Sequence, residues 1–177
     1  YRDQRRHGGI LSNNFPNRWW PNQVLTNQHG NAETHYRDRD TNKPPTGPAL
    51  SADILAGNRI SPQDSLQGHR LDDAWFKQQS PDFDRITIPF LSAGNWGGLG
   101  LHMRGDVEGF IRSASKQEWL EMHGGTHFES FYLPEGVALQ RRFFDFYLKG
   151  IRNGWDKHPR VTLAIRRPDG MTTRSES

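Results

Sequence analysis

The 177-residue sequence contains no cysteine, which excludes disulfides and thiol chemistry while leaving the compartment open. Apolar material is scarce: hydrophobic residues make up 33% and the mean hydropathy is −0.89. No apolar run approaches the roughly 20 residues that span a bilayer, so no membrane association is expected. Charge of one sign is lacking too. The 23 Lys and Arg are mixed with 20 Asp and Glu, and no cluster forms a phosphate-tracking stripe. The pI of 9.4 therefore gives little reason to expect nucleic acid. An initiating Met and a signal-peptide pattern are also missing, and the chain closes on polar Met171 to Ser177. Both ends read as cut.

What is present is unevenly spread, over a length that suits one modest core. Residues 1–85 are rich in Asn, Gln, Arg, Asp, Gly and Pro, whereas apolar density is greatest between Ile86 and Ile165. The first stretch reads as short helices and long loops on the surface of a core formed by the second. Tyr1 to Arg6 suits a charged helix tail closed by Gly8-Gly9. Asn13 to Asn22 sets two prolines and four asparagines around Phe15, Trp19 and Trp20, and predicts a loop with packed aromatics. Lys43 to Pro48 breaks any helix. Ser51 can cap a short helix through Ala56, and Leu71, Ala74 and Trp75 suggest another within His69 to Gln79.

From Ile86 the pattern changes. Ile86 to Ser92 is a short β-branched apolar run suited to a buried parallel strand, although Pro89 argues against a central position. A flexible Gly94–Gly100 turn follows. Met103, Val107, Phe110, Ile111 and Ala114 then mark one helical face, in which Gly105 and Gly109 would permit close approach to a sheet. Gln117 to Met122 reads as a second strand, and Glu135 to Lys149 as a strong helix stopped by Gly150. Strand, helix, strand, helix implies parallel strands with crossovers, and ligands in such sheets sit at the carboxyl ends of strands. After a polar linker from Ile151 to Pro159, alternation at Val161, Leu163 and Ile165 predicts a half-buried strand that leaves this sheet for another β layer. Pro168-Asp169-Gly170 is a turn signal.

The chemistry concentrates in Glu118-Trp-Leu-Glu-Met-His-Gly-Gly-Thr-His127-Phe128. Gly124 and Gly125 break the strand, which presents His127 on a loop just past its end. An imidazole there can take a proton from a nucleophile near neutral pH. The plainer alternative is a loop histidine bonded to nearby backbone.

Several spaced motifs resemble the CocE/NonD hydrolases, a group including cocaine esterase and the Xaa-Pro dipeptidyl-peptidases. They are Ile88 to Trp96, Leu101 to Gly105, Met122 to His127, Leu139 to Gly150 and Asn153-Gly-Trp155, with weaker likeness at Tyr1-Arg2-Asp3 and His7 to Ile10. The resemblance implies a partial α/β-hydrolase core with a helical, loop-rich cap segment and the first strand of a C-terminal jelly roll. Residues 1–85 would be cap, 86–150 the last core strands and helices, and 151–177 a linker and the start of the β domain. His127 matches the triad histidine. The elbow G-x-S-x-G is absent, and in family order the nucleophile lies upstream of Tyr1. Gly97 stands where several members carry the triad acid, which leaves Asp106 and Glu129 as candidates, or an acid upstream. Asn95, Trp96, Phe128, Trp19 and Trp20 are candidate pocket lining.

The resemblance thus implies a piece of a serine hydrolase for small ester or Xaa-Pro peptide substrates, inactive alone, with no cofactor. Two alternatives stand beside it. A zinc hydrolase would use His123, His127 and Glu129, although the glycines interrupt the helical His-x3-His spacing. A binding module would use the Phe15, Trp19 and Trp20 loop to stack a ligand. Oligomeric state is not legible.

Overall fold

Capping side chains set the helices of the amino-terminal half. In the computed structural model, which describes residues 6–7, 10–11, 14–69, 71, 73–98 and 101–176, the chain forms two units, Tyr1–Ser80 and Pro81–Ser177. The first holds a two-stranded antiparallel ribbon, β1 (Arg6–His7) and β2 (Ile10–Leu11). Helix α1 (Asn14–Trp19) and a π-helical turn, Trp20–Leu25, occupy most of the stretch expected to be a loop. Pro16 sits in the first turn of α1, where the missing N–H has no intrahelical partner to lose, and Pro21 falls where α1 passes directly into the π-helical turn. The expected Tyr1 to Arg6 helix tail lies outside the described residues except for Arg6, which is in β1. Ser51 caps α2 (Ala52–Gly57) by accepting the Ile54 N–H. Helices α3 (Pro62–Gly68) and α4 (Ala74–Gln78) follow, and Asp73 caps α4 through the Trp75 and Phe76 amides. That cap places the helix start later than the expected His69, and Leu71 is 77% exposed. Leu66 and Phe76 are buried in this unit.

Pro89 decides where the first long strand of the second unit begins. It has no N–H for a ladder, so the strand expected from Ile86 starts at Phe90, whose N–H reaches the Gln117 carbonyl at 3.1 Å. Strand β3 (Phe90–Asn95), helix α5 (Met103–Arg112), strand β4 (Glu118–His123), the short α6 (Glu129–Tyr132) and α7 (Pro134–Lys149) then follow. Strands β3 and β4 are adjacent and parallel, from Phe90↔Glu118 to Asn95↔His123, as the strand–helix–strand pattern requires. Helix α5 ends at Arg112, so Ala114 lies beyond it and Ile111 is 69% exposed. Its glycines do not make the expected close approach: a Cβ on Gly105 or Gly109 would meet open space. Gly94 does instead, since a Cβ there would lie 2.6 Å from the Asp106 carboxylate.

Strand β5 (Val161–Arg167) corrects a further expectation. Rather than leaving for another layer, it pairs in parallel with β4, Leu120↔Val161 to Met122↔Leu163. The Leu120 N–H reaches the Arg160 carbonyl at 2.9 Å, and the Arg160 guanidinium holds Glu118 at 2.5 Å. These bonds seat the strand's start beside β4. The Pro168-Asp169 turn then folds β6 (Gly170–Glu176) back antiparallel, giving the order β3-β4-β5-β6.

The core of this unit is aromatic. Trp119 from β4, Phe143 from α7 and Trp155 pack edge to face, with Trp155 fully buried and 5.4 Å from the Trp119 ring. Gly150 ends α7 in the left-handed conformation, and Asn153 bonds the Arg142 carbonyl at 2.7 Å. Those two features turn the polar connection and drive Trp155 under the sheet. No helix among the described residues is long and apolar enough to cross a membrane.

Candidate active site

Strands β3 and β4 end level, with Asn95 opposite His123, so the segments leaving them emerge side by side. After β3 comes the tight turn Trp96–Gly98; Leu99 and Gly100 of the expected turn lie outside the described residues. After β4 come Gly124, Gly125 and Thr126, then His127. The two segments touch. A Cβ on Gly97 would lie 2.5 Å from the Gly125 carbonyl oxygen, so only glycine permits this approach without a shift.

Asn95 joins the two segments chemically. It is 5% exposed, its Nδ2 donates to the Gly125 carbonyl at 3.0 Å, and its Oδ1 lies 2.9 Å from His127 Nδ1. The His127 ring is half-buried and 4.9 Å from that of His102, just ahead of α5. A cavity of about 530 Å³ opens here at the carboxyl edge of the sheet. His127, His102, Asp106, His123, Glu121 and Asn95 supply its polar lining, and side chains of β3 and α7 its apolar walls.

Burial sets the electrostatics. It raises the Asp106 carboxyl from 3.8 to about 6, with His127 pulling the other way. Glu121 is raised and His123 lowered by the same desolvation. His102 is lowered by burial first and then by His127. A concave site with several titratable groups displaced by burial has the character of a reaction site. Its contents are a histidine with an anchored Nδ1, a carboxyl that exchanges protons near pH 6, and apolar walls.

The structure separates the residues singled out from sequence. His127 and Asp106 share the cavity, but the imidazole Nδ1 bonds Asn95 rather than Asp106. Glu129 is exposed at the start of α6, and its carboxylate accepts the Thr126 N–H at 3.3 Å. Of the candidate lining residues, Asn95 borders the cavity. Trp96 instead donates its indole N–H to the Ala164 carbonyl at 2.6 Å, and Phe128 is 71% exposed. Trp19 and Trp20 belong to the first unit, where Trp19 ends α1. Among the described residues no group of three or more His, Cys, Asp or Glu is placed to hold a metal ion.

Sequence reasoning missed His102, Glu121 and the part played by Asn95. A histidine four residues ahead of Asp106 at a helix start was a legible signal for the first. Glu121 was legible as a strand residue on the same face as His123, since alternate residues share a face.

No family model matches the chain, and no curated protein matches it either. Solved structures do. Two crystal structures of a CocE/NonD family hydrolase from Staphylococcus aureus align with it. In one, the identity is 31% over 99% of this chain and 27% of that chain, with a TM-score of 0.72. In the other, it is 33% over 75% of this chain and 22% of that one, with a TM-score of 0.61. The chain thus spans about a quarter of the length of the structures it matches.

Proposed function

Because the chain carries a CocE/NonD-type fold, we propose that it is the histidine-bearing part of a serine hydrolase for small esters or Xaa-Pro peptides. The observation that supports this most is His127, set at the carboxyl edge of a parallel sheet, on a cavity, with Nδ1 held by a buried side chain. In this reading His127 Nε2 takes the proton of a serine hydroxyl supplied by another part of the protein. It later returns that proton to the leaving group. The apolar walls of the cavity take the acyl or proline side of the substrate. Residues 1–85 act as a cap-like insertion, and no cofactor enters the reaction.

The 177 residues carry no G-x-S-x-G, so the chain alone does not turn over. The test is kcat with a nitrophenyl acyl ester, in the complete protein and in the chain alone. His127→Ala in the complete protein loses several orders of magnitude, leaving only the roughly 10³–10⁴-fold over water that binding and an oxyanion hole provide. Near-parental kcat in that variant, or His127-dependent turnover by the isolated chain, refutes the assignment.

A further inference from the structure

The hydrogen bonds around Asn95 carry more information than its position. Gly125 offers a carbonyl oxygen, which only accepts, so the Asn95 atom facing it at 3.0 Å must be the amide nitrogen. Its oxygen therefore faces His127 Nδ1 at 2.9 Å, and an amide oxygen also only accepts. The ring nitrogen there must carry the hydrogen. We propose that Asn95 is a positioning residue that locks neutral His127 in the Nδ1–H tautomer, with Nε2 left as the proton acceptor. This rests on the reading of His127 as the base.

The same geometry explains why an amide rather than a carboxylate stands here. A carboxylate at position 95 would satisfy His127 but turn its second oxygen toward the Gly125 carbonyl, where two acceptors meet with no hydrogen between them. Asn95 is buried, so water cannot relieve that repulsion. Gly97 and Gly125 form the other half of the device: their backbones approach closely enough to aim the carbonyl at the amide. Asp106 lines the same cavity, and His127 offsets part of the rise that burial gives its carboxyl, but Asp106 is not bonded to the imidazole Nδ1.

Long-range ¹⁵N NMR of the imidazoles reads the tautomer directly in the chain as it exists, on the alkaline side of histidine titration. His102, Asp106, His123 and Glu121 line the same cavity as the ring, and that condition holds the two other histidines neutral and Asp106 ionised. Parental chain shows a protonated, pyrrole-like Nδ1 and a pyridine-like Nε2 on His127. Asn95→Leu, which offers no acceptor, shifts the ring toward the Nε2–H tautomer. Asn95→Asp keeps Nδ1–H but melts at a lower temperature than the parent, because of the opposed oxygens. An Nε2–H tautomer in the parent overturns the proposal without any variant, and so does an unchanged tautomer in Asn95→Leu.

In the complete protein, Asn95→Leu lowers kcat with little change in KM, by up to about 10⁴-fold, the size a wrong tautomer has in a serine triad. The two readings fail separately. A locked Nδ1–H tautomer combined with an active His127→Ala protein sinks the hydrolase reading alone. An Nε2–H tautomer in the parent combined with an inactive His127→Ala protein sinks this inference alone.

Discussion

Replacing Asp106 with asparagine tests the site electrostatics on the chain itself. Folding carries this carboxyl from 3.8 to about 6, with burial outweighing the opposite pull of His127. Because the folded value is the higher one, the folded chain holds the proton more tightly between those two pH values. Stability therefore falls as pH rises through that window, and the full penalty applies above about pH 6. At about 1.4 kcal/mol for each pH unit, the rise corresponds to at most roughly 3 kcal/mol, an upper bound because the carboxyl is only half-buried and solvent screens it. That is a large share of the 5–15 kcal/mol typical of a domain. Asparagine has the same shape, so it fits beside Gly94, where a Cβ would lie 2.6 Å from the carboxylate oxygen. Urea unfolding of parent and Asp106→Asn at about pH 4 and about pH 7.5 makes the comparison, and taking the difference cancels the histidine titrations common to both chains. The variant should gain little at the acid end and up to about 3 kcal/mol at the neutral end. An equal difference at both ends, or a loss at neutral pH, refutes the argument that the half-buried Asp106 carboxylate is held at a cost.

Three further outcomes follow from the same structure. Gly97→Ala places a Cβ 2.5 Å from the Gly125 oxygen and 3.1 Å from Asn95 Nδ2, so the loop must move. It should lose about 1–3 kcal/mol in urea unfolding and shift the His127 ring signals. Trp155→Ala should cost about 3–5 kcal/mol, whereas Trp155→Phe should cost distinctly less, because the buried indole N–H has no partner to forfeit. Thermal melts of the two variants give that ranking. His158 stacks on Trp155 at 4.4 Å, and burial, followed by Arg142, depresses its protonation in the folded chain. Its contribution to stability is present above the unfolded histidine value of about 6.5 and is lost as pH falls below it. His158→Phe, which can keep the stacking, should therefore flatten the acid limb of a stability–pH profile.

The parallel strand–helix–strand order was legible because each element carries its own local signal: a short apolar run ahead of a glycine turn, an apolar helical face, a glycine stop at Gly150. So was the placement of His127 past a strand end, since Gly124-Gly125 interrupts β4 wherever β4 lies. The absence of a G-x-S-x-G motif was likewise a matter of reading residues. Tertiary structure alone decided the rest. Asn95 and His127 are 32 residues apart. They meet only because the parallel ladder stops both strands at the same level, and register is a property of two strands that neither one encodes. Alternation at Val161, Leu163 and Ile165 announces a half-buried strand but names no partner. The Arg160 contacts to Glu118 and Leu120 chose β4. The connection from Ile151 to Pro159 looked like a linker, yet it holds the most buried tryptophan, because burial is set by the aromatic rings that other elements bring to it.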